Sequence, residues 1–397
     1  MQIYLDYSAT TPTRPEAIAA MQAVLTQEWG NPSSLHEWGN RAAMVLEEAR
    51  VKVADLINAA NPESIIFTSG GTEADNLAIM GVARCYDVPQ HLIISSVEHS
   101  AINEPVRLLE KWGWEVTRLD VDGKGSVNPL DLKAALRHNT VLVSVIYGQS
   151  EVGTVQPIEE LGKIARSPMV GRSLSHGVLF HTDAVQAVGR LPIDVQNLPV
   201  DLLSLSSHKL YGPLGAGALY VRPGVELLPL FGGGGQEMGL RSGTQATPII
   251  AGFGVAAELA AQELASETPR LIKLRDRLFA NLADVPGLIP TGDRDRRLPH
   301  HVSFYLEQAD GEKLSGKTLV RQMNLAGIGI SAGAACHSGK LSPSPILLAM
   351  GYSQKAALGG IRLTLGRDTT EADIDWTAIV FKQVLQRLTP DLFLATR

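Results

Sequence analysis

Apolar residues recur along the first two thirds of the chain in two alternating rhythms. "PEAIAAMQAVLTQ" and "RAAMVLEEARVKVADLIN" space them as one face of a helix, and Pro15 stands where a first helical turn tolerates proline. Between such blocks lie short, nearly unbroken apolar runs: "SIIFTS", "HLIISS", "VLVSVIYG", "GVLFHTD", "DLLSLSS" and "GALYV". Runs of that length and continuity predict strands buried on both faces. Helical segments such as "AINEPVRLLEKWG" and "PLDLKAALRHN" separate several of them. Strand and helix in alternation predict an α/β fold with a mainly parallel sheet.

Near residue 245 the rhythm changes. "TPIIAGFGVAAELAAQELASETPRLIKLRDRLFANLAD" predicts a long helical connector. Beyond it, strand-like "HHVSFYL" and "GGIRLTLG" and helix-like "LSGKTLVRQMNLAG" and "EADIDWTAIVFKQVLQRLT" predict a smaller α+β domain. The sequence holds no internal repeat, and the run Gly232 to Gly235 is its one obvious flexible stretch.

Composition narrows the function classes. A chain of 397 residues suffices for a large core and two domains, and 45% hydrophobic with 19% charged residues fits a soluble globular protein. A net charge of −6 argues against a nucleic-acid partner, whose binding surface would be basic. Two cysteines, Cys85 and Cys336, are too few for a disulfide framework and point to a reducing, cytoplasmic setting. "MQIYLDYSATTP" lacks the basic-then-apolar order expected of a secretory signal. The most apolar helical stretch, "PIIAGFGVAAELAA", carries Glu258 and is too short for a bilayer, so no membrane partner is expected.

The chemistry-bearing residues cluster at predicted strand ends. "SLSSHKLYGP" sets Lys209 between two apolar segments, straight after two hydroxyls and a histidine. A snorkelling lysine needs no such setting, whereas burial and neighbouring cations lower an amine's pKa and free its lone pair. "TSGGTEADN", residues 68–76, follows a strand and opens a helix. Its Gly71 would let a phosphate approach free helix amides and Thr72 adds a hydroxyl, although an ordinary capped turn reads the same way. Asp183 ends the strand of "LFHTDAVQAVG", either as a helix cap or as the partner of a protonated heterocyclic nitrogen. His99 in "SSVEHSAI" is either a cap or a flat ring able to stack on a pyridine and move a proton. A lysine, an aspartate and a phosphate loop are together the fixtures of pyridoxal 5'-phosphate, with Ser206 and His208 as further phosphate donors. No metal is expected.

Cys336 lies in the small-residue stretch "GIGISAGAACHSGKLSPSP", where packing requires no cysteine and where His337 and Lys340 offer support to a thiolate. Cys85, in the helical pattern "NLAIMGVARCY", reads as a buried small hydrophobe. Arg362 in "GGIRLTLGR" is either a fork for a substrate carboxylate or a surface arginine on an edge strand.

The motifs "YLDYSATTP", "GNPSSLH", "FTSGGTEADN", "SSVEHSA", "HTDAVQAVGRLPID", "SLSSHKLYGPLGAG", "GGGGQEMGLRSGT", "SAGAACHSG" and "IRLTLGRDTTEADID" run from end to end. Together they resemble the cysteine desulfurases of aminotransferase class V, and the cysteine segment is similar to that of the long-loop subgroup. The resemblance implies a type I pyridoxal-phosphate-dependent transferase fold. Its large, mainly parallel-sheet domain would span 14–255, and a smaller α+β domain, 1–13 with 256–397, would carry the catalytic cysteine. It implies a homodimer acting on L-cysteine, with a sulfur-acceptor protein such as an iron–sulfur scaffold as partner. Lys209 would be the Schiff-base residue, His99 would stack on the ring, Asp183 would meet the pyridine nitrogen and Gln186 the ring hydroxyl. Thr72, Ser206 and His208 would hold the phosphate, and Thr244 would reach the phosphate of the neighbouring subunit from an interface loop that includes the glycine run. Arg362 would bind the cysteine carboxylate, and Cys336 would take the sulfur as a persulfide, leaving alanine.

Gln149 and Ser150 stand where the family usually has two asparagines, the first of which assists substrate binding, and Met238 stands where arginine is common. A class V transaminase or a C–S lyase would use the same fold and have no need for Cys336. A catalytically weakened scaffold-binding protein would have no need for Lys209, Asp183, His99 and Cys336 together.

Overall fold

In the computed structural model, which describes residues 2–167, 177–307, 314–333 and 342–390, the apolar runs assemble into a seven-stranded sheet. Its order is Ile65–Thr68, Gly217–Val221, Leu202–Ser206, Leu179–Asp183, Thr140–Ser144, His91–Ser95 and Glu115–Leu119. Neighbours run parallel except Gly217–Val221, which is antiparallel to both of its own. The strands His91–Ser95, Thr140–Ser144 and Leu202–Ser206 are buried throughout, which is why they read as unbroken apolar runs and not as alternation. Parallel strands joined by helices bring their C-terminal ends to one edge, where open α/β sheets bind ligands. Thr68, Ser95, Asp183 and Ser206 all end there.

The helix Thr247–Asn281 joins two cores. Its first half buries Ile250, Phe253 and Ala256 with Val53, Phe67 and Leu205 beneath the large sheet. Its second half buries Leu274, Leu278 and Phe279 with Phe304, Leu363 and Phe381. The second core backs a four-stranded antiparallel sheet ordered Ser331–Ala332, Gly360–Thr364, His301–Leu306 and Leu288–Pro290. Ile3 and Leu5 belong to this core as well, because strand Ile3–Tyr4 pairs in parallel with Ile328–Gly329. The chain's first strand therefore docks on its last core, and residues 6–11 cross the ligand edge of the large sheet.

Two expectations need correction. The stretch "PIIAGFGVAAELAA" does not stop short: it opens a 35-residue helix that is long and apolar enough to cross a membrane by length and composition alone. Here it packs against helices Pro15–Thr26 and Glu37–Leu56, so closely that a Cβ at Gly254 would meet Ala49 Cα at 2.7 Å. Cys85 is not buried. It lies past the end of helix Gly71–Ala83, exposed, with its thiol directed at Gly81 O (3.3 Å) and Glu226 O (3.7 Å).

The glycine run is tied down on its C-terminal side. Glu237, in the left-handed region at φ 51°, accepts two hydrogen bonds from the buried Arg50 (2.8 and 3.0 Å) and one from Phe67 N (2.8 Å). A charge-assisted bidentate pair this enclosed fixes the loop's path. Met238 follows it with its side chain half exposed.

Candidate active site

At the ligand edge of the large sheet a cavity of about 270 Å³ opens between the two cores. Of the residues singled out from the sequence, Gly71, Thr72, His99, Asp183, Gln186, Ser206, His208, Lys209 and Arg362 line it. They arrive from several separate elements. Helix Gly71–Ala83 points its uncapped N-terminus inward, and a Cβ at Gly71 would meet Val185 Cγ2 at 2.8 Å, so only glycine lets the helix start there. Asp183 ends strand Leu179–Asp183, and Ser206 ends Leu202–Ser206 just before the short turn that carries His208 and Lys209. Arg362 comes from the small sheet, on strand Gly360–Thr364.

Lys209 Nζ donates to Ser8 O and Ala9 O, both at 2.7 Å, so the N-terminal crossing segment holds the amine. Burial lowers its pKa from 10.5 to about 8, with the nearby Arg362 and Arg190 charges acting in the same direction. Burial and the Lys209 charge bring His208 down to about 4, leaving a neutral ring with Nδ1 3.0 Å from Thr10 Oγ1. His99 caps helix Ser100–Lys111 through Nδ1, accepting from Ala101 N at 3.2 Å, while its ring faces the cavity. Cap and cavity wall, the two readings of this histidine, coexist.

Asp183 is 5% exposed and also accepts from Val185 N at 3.0 Å. Behind it lies a carboxyl that the sequence reading missed. Asp75 is 1% exposed, lines the same cavity, and has one ligand atom within 4.8 Å of those of Asp183 and His99. Burial raises both aspartates. Asp75 is raised furthest, with the Asp183 charge adding to its burial, whereas His99 and Lys209 favour the Asp183 anion. The two environments push the pair apart, Asp75 toward its neutral form and Asp183 toward its anion. The available signal was spacing, since Asp75 lies one helical turn beyond Gly71 on the same face.

Arg362 NH2 donates to Asp6 Oδ1 (2.7 Å) and NH1 to Ser150 O (2.9 Å), while its buried Nε has no partner among the described residues. Gln186 gives its amide to Ser8 O at 2.9 Å and likewise keeps an unpartnered buried oxygen. Such orphaned polar atoms beside a cavity mark where a ligand would bind. An acid beside a flat ring, a low-pKa amine, and a helix N-terminus with Thr72, Ser206 and a neutral histidine fit the pyridine, aldehyde and phosphate of pyridoxal phosphate.

Thr244, expected to serve the neighbouring subunit, is exposed and outside this cavity. One residue expected in the cavity lies elsewhere. Gln149 is 2% exposed, and its amide is taken up by backbone groups. Nε2 donates to Val97 O at 3.3 Å, and Oε1 accepts from Glu151 N and Val152 N. Ser150 lines the cavity in its place. An asparagine can still accept the two backbone N–H bonds, as Asp293 does from Asp295 N and Arg296 N, and loses only the reach to Val97 O. Gln149→Asn is therefore expected to lower unfolding free energy by about 0.5–1.5 kcal/mol through that one lost buried hydrogen bond, as measured by urea denaturation. Cys336, with His337 and Lys340, lies outside the described residues.

Known proteins agree with this geometry. The family model for aminotransferase class V matches residues 3–376. "Cysteine desulfurase IscS" of Dictyoglomus turgidum is 44% identical over 389 residues, 98% of this chain and 95% of that protein. Its namesake in Methanosarcina thermophila is 43% identical over 387 residues, 97% and 92% of the respective chains. A solved "NifS-like protein" superposes with a TM-score of 0.88 at 33% identity, covering 98% of this chain and all of its own. The chain belongs to the aminotransferase class V family, among its cysteine desulfurases.

Proposed function

We propose that this protein removes sulfur from L-cysteine, leaves L-alanine, holds the sulfur as a persulfide on Cys336 and passes it to an acceptor protein, such as one that assembles iron–sulfur clusters. The observation that carries this reading is the meeting of Lys209, Asp183, His99 and Arg362 in one cavity at the sheet's ligand edge. When bound, pyridoxal phosphate supplies an electron sink for the amino acid's Cα. Lys209 would hold it and, with a pKa of about 8, exchange protons near neutrality. Asp183 would hold the ring nitrogen, Gln186 the ring hydroxyl, His99 the ring face, and Thr72, Ser206 and His208 the phosphate. Arg362 would receive the cysteine carboxylate through its guanidinium, whose Nε is unpartnered among the described residues.

In the transfer the Cys336 thiolate bonds to the sulfur of cysteine. The sulfur–Cβ bond breaks with its electron pair left on the carbon side, and a proton completes alanine. No external oxidant is consumed. A thiol used in this way needs a reducing compartment such as the cytoplasm. In the homodimer that the reading includes, the exposed Thr244 would serve the partner's cavity.

The test is stoichiometry. With L-cysteine and a reductant, alanine and total released sulfur are expected in equal amounts, measured by amino-acid analysis and sulfide assay. Pyruvate and ammonia in place of alanine would establish a C–S lyase.

A further inference from the structure

Glu151 is 8% exposed and has no part in the steps above. Its Oε1 accepts the hydroxyl of the fully buried Ser344. The same hydroxyl accepts Leu347 N at 3.1 Å, capping helix Pro345–Ala349. The same carboxyl oxygen also faces Gly333, so close that an added Cβ would meet Glu151 Cδ at 2.8 Å. Both neighbours are stitched to the small domain, Gly333 N to Gly360 O and Ser344 N to Ala357 O, each at 3.0 Å. One residue before Glu151, Ser150 O accepts from Arg362 NH1 at 2.9 Å and lies 3.1 Å from His301 Nε2. A single carboxyl thus touches both approaches to the stretch that contains Cys336, while the preceding carbonyl holds the arginine fork.

Burial pushes this carboxyl up to about 7, against the Ser344 hydrogen bond and the Arg362 charge. Burying an ionisable group is costly, and filling space does not require one.

We propose that Glu151 is a positioning residue: its carboxyl holds Ser344 and Gly333, the described residues on either side of the sequence stretch that contains Cys336, in place relative to Arg362. This inference rests on the reading of Cys336 as the sulfur acceptor.

The experiment measures single-turnover persulfide formation on Cys336 by quenched mass spectrometry, in holoenzyme at saturating L-cysteine, for the native protein and four variants. Glu151→Ala and Ser344→Ala are each expected to slow it on the order of tenfold, because misplacing a reacting group by even about 1 Å is expensive. The double variant should be no slower than either single one, since both remove the same contact. Glu151→Gln, whose amide oxygen still accepts from Ser344, should recover to within about threefold of native. Half-saturating cysteine should shift less than about threefold throughout, because Arg362 keeps Asp6 and the Ser150 carbonyl. Native rates in the alanine variants, losses that multiply in the double variant, or losses that vanish when rates are divided by bound cofactor would each overturn the proposal. If Glu151→Ala does not fold, Ser344→Ala and Glu151→Gln decide it. A native protein that yields alanine without sulfur on Cys336 would instead refute the functional reading, and this inference with it.

Discussion

Replacing Lys209 with alanine is expected to abolish the borohydride-stable covalent link to the cofactor and to cut turnover on the order of a thousandfold or more. Among the described residues no other lysine lines the cavity. The cofactor itself should still bind, because Asp183, Gln186 and the helix N-terminus at Gly71 do not depend on the amine. The reactivity of the site follows from the burial that lowers this amine from 10.5 to about 8. At pH 7 an amine of pKa 8 is about 9% unprotonated, against about 0.03% at 10.5. Protonation blocks the lone pair, so reactivity of the cofactor-free protein at Lys209 should fall as pH drops through about 8. Peptide mapping of a borohydride-reduced label against pH measures both points. A label on any other lysine, or a midpoint near 10, would remove Lys209 from the role.

The sequence exposed the strands that are buried on both faces and hid those that are not. His91–Ser95 and Leu202–Ser206 are apolar runs because both sides meet helices. Glu115–Leu119 escaped notice because it is an edge strand with only Leu119 buried. Its Glu115 and Arg118 pair with Arg137 and Glu110 at the surface, so its pattern is that of a polar loop. The two-residue strands Ile3–Tyr4 and Ile328–Gly329 could not be seen either, since only their pairing across the chain makes them strands.

The site was legible where the chemistry needs a distinctive residue at a strand end, as at Asp183 and Lys209. Asp75 was less so, because an acid inside a helical pattern looks like a solvated face until tertiary packing buries it. Gln149 misled for the opposite reason. Its position in the motif suggested a substrate contact, yet its amide is taken up by backbone groups, Val97 O on one side and Val152 N on the other. Backbone acceptors carry no sequence signal at all, so the Ser8 and Ala9 carbonyls that hold Lys209 emerged only with the fold.

Replacing Cys336 with serine should separate this enzyme from its relatives. On the proposed reading the cavity residues need no thiol to bind and activate the amino acid, so L-cysteine should still change the cofactor's absorbance in the variant. Taking the sulfur away is another matter. It requires a nucleophile that is substantially ionised near neutrality and prefers sulfur. A thiol near its reference pKa of about 8.5 is a few per cent thiolate at pH 7, whereas a serine hydroxyl is essentially never ionised. Alanine and sulfide formation should therefore fall on the order of a thousandfold, with half-saturating cysteine little changed. Cys85 cannot substitute. It lies outside the cavity with its thiol turned to two backbone carbonyls, and partial desolvation against them moves its pKa up, away from the thiolate. Cys85→Ser should consequently keep native turnover, and after a brief exposure to cysteine the extra, reductant-removable sulfur should sit on Cys336 alone in the native protein. A Cys336→Ser protein that still desulfurates cysteine at the native rate would rule out the persulfide route. The sulfur would then have to leave directly from the substrate, and a C–S lyase would be the better description of the chemistry at Lys209.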